Sequence, residues 1–399
     1  MPTIKNIRCV LLSSPYANAD DPEIKECFPN GPKRTIGMVE ITLDNGIVGL
    51  GEGYLAVFAP LVFQSIVELC RPYMEGKDGF DIVERVRDLR RVCDYWSLQG
   101  AARHVISAYE IALQDAKAKS LGVPIYDLLG GAKAKSIRIY GSGGCCDAKD
   151  QFNRELDMLE AKGIDLYKIR SVKRDVYRTA WVMNEAGKRG IQVGVDMCQN
   201  LADPPQSVDT VVAFVNAVHA ATDQRMAFVE EAVGPASPEG FRELRARIDV
   251  PVCGGEIITT PKEMIERLQA GVYAFVQPDA SVIGGISAVM DIYAAARQAN
   301  VGVVVHAWGG AAAIMASYHA AFAGDGELVE YPMLDFPLGA EMIGDQGIIS
   351  AGRLVRPTAP GLGVTLTPEM EAKYPFDPTA VYSCLLQELH PPADESWRG

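Results

Sequence analysis

The sequence predicts an α/β protein: a (β/α) barrel of the modified TIM type, preceded by an N-terminal α+β capping domain that the C-terminal segment completes. Three observations predict it. From Ser136 onward, short β-rich runs alternate with amphipathic helices; from the second run to the eighth, each ends in or beside a polar or ionisable residue; and the first 130 residues have a different texture, a hairpin followed by helices. The expected division is residues 1–130 for a capping domain with lid loops, 131–345 for the barrel, and 346–399 for a segment that packs back on the cap.

In the cap, Thr35 to Thr42 and Ile47 to Gly51 flank Asp44-Asn45-Gly46, a type I′ hairpin signal. Between Ala101 and Ser120 the apolar residues Val105, Tyr109, Ala112, Leu113 and Ala116 recur at helical spacing, and Gly122 ends the helix. The barrel strands are expected at Ile137–Tyr140, Leu166–Arg170, Ile191–Asp196, Ala227–Glu230, Val252–Glu256, Ala274–Gln277, Val301–His306 and Leu328–Glu330. Ser237-Pro238 and Thr260-Pro261-Lys262-Glu263 are helix starts, with a capping hydroxyl and a proline at the first helical position. Strand then helix, repeated, requires a parallel sheet, and eight units over roughly 200 residues fit a closed barrel better than an open doubly wound sheet. Gly284-Gly285 lacks the full nucleotide-binding glycine pattern after a strand and reads as a helix-entry turn. From Ala351 to Gly399 the chain is Pro-rich, with no ninth unit.

Composition narrows the partners. A net charge of −13 over 399 residues disfavours nucleic acid and anionic membrane surfaces, whose phosphates demand clustered Lys and Arg. The start has no apolar stretch long enough for a signal peptide and no later window is long and uncharged enough for a membrane span, so a cytoplasmic protein is expected. Nine cysteines without short paired spacing are expected to be free thiols, Cys145-Cys146 included. The expected partners are a small hydroxy-carboxylate substrate and further copies of the chain in a homo-oligomer.

The chemistry is carried by the strand ends. Lys168, Arg170, Asp196, Glu230, Glu256, Asp279, His306 and Glu330 follow one another at intervals that, from Arg170 on, run from 23 to 34 residues, the length of one strand–helix unit, so a barrel gathers them around one mouth. A lone carboxylate after a strand is as readily an N-cap for the next helix. An unbroken series is not explained that way. Asp196, Glu230 and Glu256 fall on three successive strands as hard oxygen donors without His or paired Cys, which favours Mg2+ over zinc or copper. Of five histidines only His306 follows a strand at the mouth; His104, His219, His319 and His390 lie in helical or tail patterns and read as structural. A carboxylate on the preceding strand, Asp279, would fix the imidazole tautomer and raise its basicity.

At these residues the chain resembles the mandelate-racemase-like group of the enolase superfamily, over nearly its whole length. The resemblance rests on Ile106-Ser107-Ala108-Tyr109-Glu110-Ile111-Ala112-Leu113-Gln114-Asp115, Gly122-Val123-Pro124, Leu128-Leu129-Gly130-Gly131, Phe228-Val229-Glu230-Glu231, Gly254-Gly255-Glu256, Gln277-Pro278-Asp279 and His306-Ala307-Trp308-Gly309-Gly310. It implies Mg2+ on Asp196, Glu230 and Glu256, with Glu231 a neighbour, a His306–Asp279 dyad, and a substrate-binding Glu330.

Two departures matter. The family commonly has Lys at both positions of Lys168-Ile169-Arg170, the second Lys acting as a base, whereas a guanidinium keeps its proton. Racemisation by two bases is therefore disfavoured, and Arg170 and Lys168 are expected to orient and neutralise the substrate, with Lys168 as second base the alternative. With His306 as sole base and then acid, the expected reaction is dehydration of an aldonic or aldaric acid to a 2-keto-3-deoxy acid, which makes the chain a hydro-lyase. Cys198 stands where relatives often have Asn, so it reads either as a metal or substrate contact or as a small buried thiol, with Gln199 or Asn200 supplying the amide. The lid is expected in the loop Ser13 to Arg34, with Tyr54, Phe28, Lys33 and Arg34 touching the distal end of the substrate and Trp308 shaping the pocket floor. An epimerase, racemase or lactone cycloisomerase using the same enolised intermediate stays open, as does a binding protein without turnover.

Overall fold

The computed structural model describes residues 1–17, 31–145, 148–334, 336–380, 382 and 397. Phe28, Cys146 and His390 lie outside them. The chain opens with a three-stranded antiparallel sheet of β1 (Ile4–Pro15), β2 (Lys33–Leu43) and β3 (Val48–Glu52). Ser13, Ser14 and Pro15 are therefore strand, as are Lys33 and Arg34, so the expected lid loop is shorter at both ends than the sequence suggested. The hairpin between β2 and β3 is also different. Gly46 takes φ 84° while Asn45 is not left-handed, and Leu43 N donates to Ile47 O at 2.9 Å, so the turn closes on one left-handed glycine instead of the two left-handed residues of type I′.

Eight parallel strands follow and form a closed ring: β4 (Ser136–Ser142), β5 (Leu166–Arg170), β6 (Gln192–Asp196), β7 (Met226–Glu230), β8 (Val252–Gly254), β9 (Phe275–Val276), β10 (Gly302–Val303) and β11 (Leu328–Pro332). The Val305–Val329 bridge and the β11–β4 pairing close it. Helices separate the strands, and Ser237 and Thr260 cap two of them through their hydroxyls, as their sequence context predicts. Tyr140, Leu166, Phe228, Cys253 and Val304 form a buried apolar cluster of their own, and the Lys168 ammonium lies 5.6 Å from the Tyr140 ring centroid. A hairpin of β12 (Ile349–Ser350) and β13 (Arg353–Val355) adds to β4 antiparallel, so this part of the C-terminal segment joins the barrel. The stretch beyond it returns to the cap: Ser13 N donates to Tyr374 O at 3.2 Å, Thr35 Oγ1 to Ala380 O at 2.7 Å, and Arg8 bridges Glu40 and Glu371.

Three buried carboxylates tie cap to barrel and to the returning segment. Asp115, on the helix Ala101–Leu121, accepts from Leu50 N at 2.9 Å and Leu362 N at 2.7 Å. Glu110, on the same helix, accepts from Ile286 N at 2.8 Å and Ser287 N at 3.1 Å, the first turn of the barrel helix Ile286–Ala299. Gly285, at φ 98°, permits this, because a Cβ there would collide with the Glu110 carboxylate. Glu52, the last residue of β3, accepts from Gly310 N at 2.6 Å and Ala313 N at 3.2 Å at the start of the helix Ala311–Gly324. Each carboxylate meets N–H groups that a helix start, strand or turn leaves unpaired, a favourable use of a buried charge. Tyr54, two residues past Glu52, is thereby held over the barrel mouth.

Candidate active site at the barrel mouth

A cavity of about 670 Å³ lies between the strand ends and the cap, lined from the barrel by Arg170, Asp196, Cys198, Glu256, His306 and Trp308 and from the cap by Tyr16, Lys33, Arg34, Tyr54, Phe58 and His104. Asp196, Glu230 and Glu256 bring one carboxylate oxygen each to within 4.8 Å of one another. Parallel register aligns Arg170 with Asp196 and Asp196 with Glu230, so neighbouring strands finish at one level. The chain then turns sharply: Cys198 takes φ 49° and Glu231 takes φ 40°, left-handed conformations that side chains other than glycine adopt reluctantly.

These acids are crowded and nearly dry. Burial pushes Glu230 up to about 7 even though Lys168 opposes the shift, and burial, then Glu256, pushes Glu231 up to about 8. Glu256 is likewise raised, first by burial. A cluster of hard oxygens that resists carrying its full charge fits a divalent cation such as Mg2+. Neighbouring amides steer two of the donors: Asn200 Nδ2 donates to Glu256 Oε1 at 2.7 Å and Gln277 Nε2 to Glu230 Oε2 at 2.6 Å. Glu231 accepts from Gly255 N at 2.6 Å and is not one of the three acids that converge.

Facing the trio is His306. Its Nδ1 lies 2.6 Å from Asp279 Oδ2, and Asp279 Oδ1 accepts from Ser281 N at 2.7 Å and Ser281 Oγ at 2.6 Å. Its Nε2 is 3.4 Å from Glu256 and 3.8 Å from Glu330. Burial alone would lower this imidazole, but Glu256, Glu330 and Asp279 outweigh it and push it up to about 10. Glu330 is fully buried, accepts from Ala307 N at 3.0 Å and sits 2.9 Å from Lys168 Nζ. Burial would raise its carboxyl, yet Lys168 and His306 hold it well below the usual range. Lys168, itself 1% exposed, also pairs with Glu230 and lies 3.9 Å from Asp196.

Arg170 donates from Nη1 to Gly143 O at 2.7 Å and lies 4.6 Å from the Trp308 ring centroid. The Tyr54 ring meets His306 edge-on at 6.3 Å. Lys33 pairs with Asp377 at 2.9 Å on the rim. Cys198 is half-buried, its N–H donating to Asp196 Oδ1 at 2.9 Å. His104 lines the cavity with a buried Nδ1 that has no hydrogen-bond partner among the described residues, whereas His219 and His319 accept from the Met226 and Tyr126 backbone. Sequence reasoning left Gln277, His104, Tyr16 and Tyr382 out of the site; only Gln277, ending a strand run, carried a signal that could have placed it there. No helix among the described residues is long and apolar enough to cross a membrane.

A parallel barrel with a carboxylate trio and an imidazole–carboxylate pair at one mouth defines a class of protein, and comparison with known sequences specifies it. Residues 151–370 match the family described as enolase C-terminal domain-like, and residues 24–130 match the mandelate racemase / muconate lactonizing enzyme N-terminal domain. The chain belongs to the mandelate-racemase-like group of the enolase superfamily. It is 28% identical to a D-galactonate dehydratase of Ralstonia nicotianae, over 82% of this chain and 88% of that protein. It is 27% identical to muconate cycloisomerase 1 of Rhodococcus opacus, over the same shares. The fold superposes on the 3,6-anhydro-D-galactonate cycloisomerase of Zobellia galactanivorans with a TM-score of 0.81 at 24% identity, covering 93% of this chain and 99% of that one.

Proposed function

We propose that this chain removes the proton α to the carboxylate of a small hydroxy acid in a Mg2+-dependent reaction, and that the reaction is dehydration of an acid sugar to a 2-keto-3-deoxy acid. The observation that carries the reading is the placement of His306 Nε2 3.4 Å from Glu256, a member of the acidic trio, on the wall of one cavity. Asp196, Glu230 and Glu256 would hold the Mg2+, which when bound supplies positive charge to balance what collects on the substrate carboxylate as its weakly acidic α proton leaves.

The remaining work falls to side chains. Asp279, accepting from Nδ1, leaves the Nε2 lone pair of His306 turned to the cavity, where it takes the α proton. The imidazolium then gives that proton to the β-hydroxyl, which departs as water, and the enol left behind becomes the 2-keto acid. Lys168 and Arg170 bring positive charge and donors to the carboxylate end; Lys168 is engaged by Glu230 and Glu330, and a guanidinium does not act as a base near neutral pH. One competent base favours elimination. The cycloisomerase relative supports a second reading, epimerisation or cycloisomerisation through the same enolised substrate, with Lys168 as the second base.

The test is a panel of sugar acids incubated with protein and Mg2+ in D2O. Release of 2-keto acid, lost in His306→Asn, is the expected outcome. Deuterium at the α carbon without loss of water would select the second reading, and a panel with neither outcome would end both.

A further inference from the structure

The cavity has a barrel wall and a cap wall of different chemistry. Asp196 and Glu256 of the acidic trio are on the first, and Arg34, on the cap strand β2 and only 7% exposed, is on the second. Its guanidinium pairs with no carboxylate among the described residues. Nη2 donates to the Tyr54 hydroxyl at 3.3 Å, the Tyr16 side chain also hydrogen-bonds the guanidinium, and the buried Nε has no hydrogen-bond partner among the described residues. Glu52 acts on the guanidinium electrostatically, but its two oxygens already serve Gly310 N and Ala313 N. Arg34 lies 5.8 Å from the centroid of the Trp308 ring, on which Arg170 also stacks. Arg174 lines the same cavity, but its Nε lies 3.9 Å from Asp175 Oδ1, so it is not left without an acid.

A buried guanidinium is expensive without an anion, and Nε with an Nη forms the planar fork that matches a carboxylate. A terminal hydroxyl would leave that charge unmatched. We infer that the substrate carries a second carboxylate, received by Arg34 on the cap wall, so that the acid turned over is a diacid of the aldarate type and not the corresponding monoacid. This rests on the acid-sugar reading above and departs from the aldonate named for the Ralstonia relative.

Binding is measured by calorimetry on Mg2+-loaded His306→Asn, with matched pairs of hexaric and hexonic acids across the sugar configurations. The best diacid should bind about 10- to 100-fold more tightly than its monoacid, the range of one charge-assisted contact. Arg34→Gln should bring the pair to within about threefold by weakening the diacid alone, and Arg34→Lys should keep part of the preference. A preference for the monoacid, equal binding, no binding of any pair, or equal weakening of both acids by Arg34→Gln would overturn the inference. So would a phosphorylated monoacid that outcompetes every diacid. Because binding is read without turnover, the two ideas separate: diacid preference with no α-proton exchange in the unsubstituted protein keeps the subsite and sinks the reaction, and exchange on monoacids alone does the reverse.

Discussion

Asp279→Asn isolates the tautomer of His306 without changing side-chain size. Asp279 Oδ1 is committed to Ser281 N at 2.7 Å, and a backbone N–H can only donate, so the single oxygen of an asparagine must remain there. Its NH2 then faces His306 Nδ1, where Oδ2 stood at 2.6 Å. Nδ1 must accept, the ring proton moves to Nε2, and the lone pair that would receive the α proton is gone. General base catalysis is worth about 10²- to 10⁴-fold, or roughly 3–5 kcal/mol of barrier. Exchange of the α proton in D2O, followed by proton NMR at saturating Mg2+, should therefore fall by about that factor. Mg2+ affinity should change little, because Asp279 is outside the carboxylate trio. Exchange within about threefold of the unsubstituted protein would refute both the tautomer reasoning and the role of His306.

Glu256→Ala should weaken Mg2+ binding by more than about tenfold in a calorimetric titration, and unchanged affinity would remove Glu256 from the ligand set. Chelation by EDTA should lower the melting temperature of the unsubstituted protein, since a cation at 100 times its Kd adds about 2.7 kcal/mol; a melt indifferent to EDTA and Mg2+ would argue that the trio holds no ion. Glu110→Ala strips the acceptor from Ile286 N and Ser287 N and should cost about 2 kcal/mol in urea unfolding, whereas a loss below about 0.5 kcal/mol would mean this cap–barrel tie is replaced by water.

What was legible in the sequence follows from what is local. Strand period, capping hydroxyls at Ser237 and Thr260, and the helix-entry turn at Gly284-Gly285 depend on near neighbours, and those helices start where the signals place them, while the expected strands Val252–Glu256, Ala274–Gln277 and Val301–His306 shorten to Val252–Gly254, Phe275–Val276 and Gly302–Val303. β1 was not legible, because its buried Ile4, Ile7, Val10 and Leu12 break strict alternation and its register shifts between Ile4 and Asn6. The turn at Gly46 carried the right residues for two geometries, and the pairing of Thr42 with Val48 chose between them.

By itself the sequence determined the alternation of strand and helix and the polar or ionisable residues that close the second to eighth runs, because apolar periodicity and a helix's start are written in adjacent side chains. Only the tertiary structure decided that Asn200 and Gln277 hold two of the acids, that Lys168 sits among three carboxylates, and that Arg34 and His306, from opposite ends of the chain, share one cavity. Those placements depend on register around a closed ring and on buried carboxylates seating the cap, and neither leaves a pattern in any short stretch of sequence.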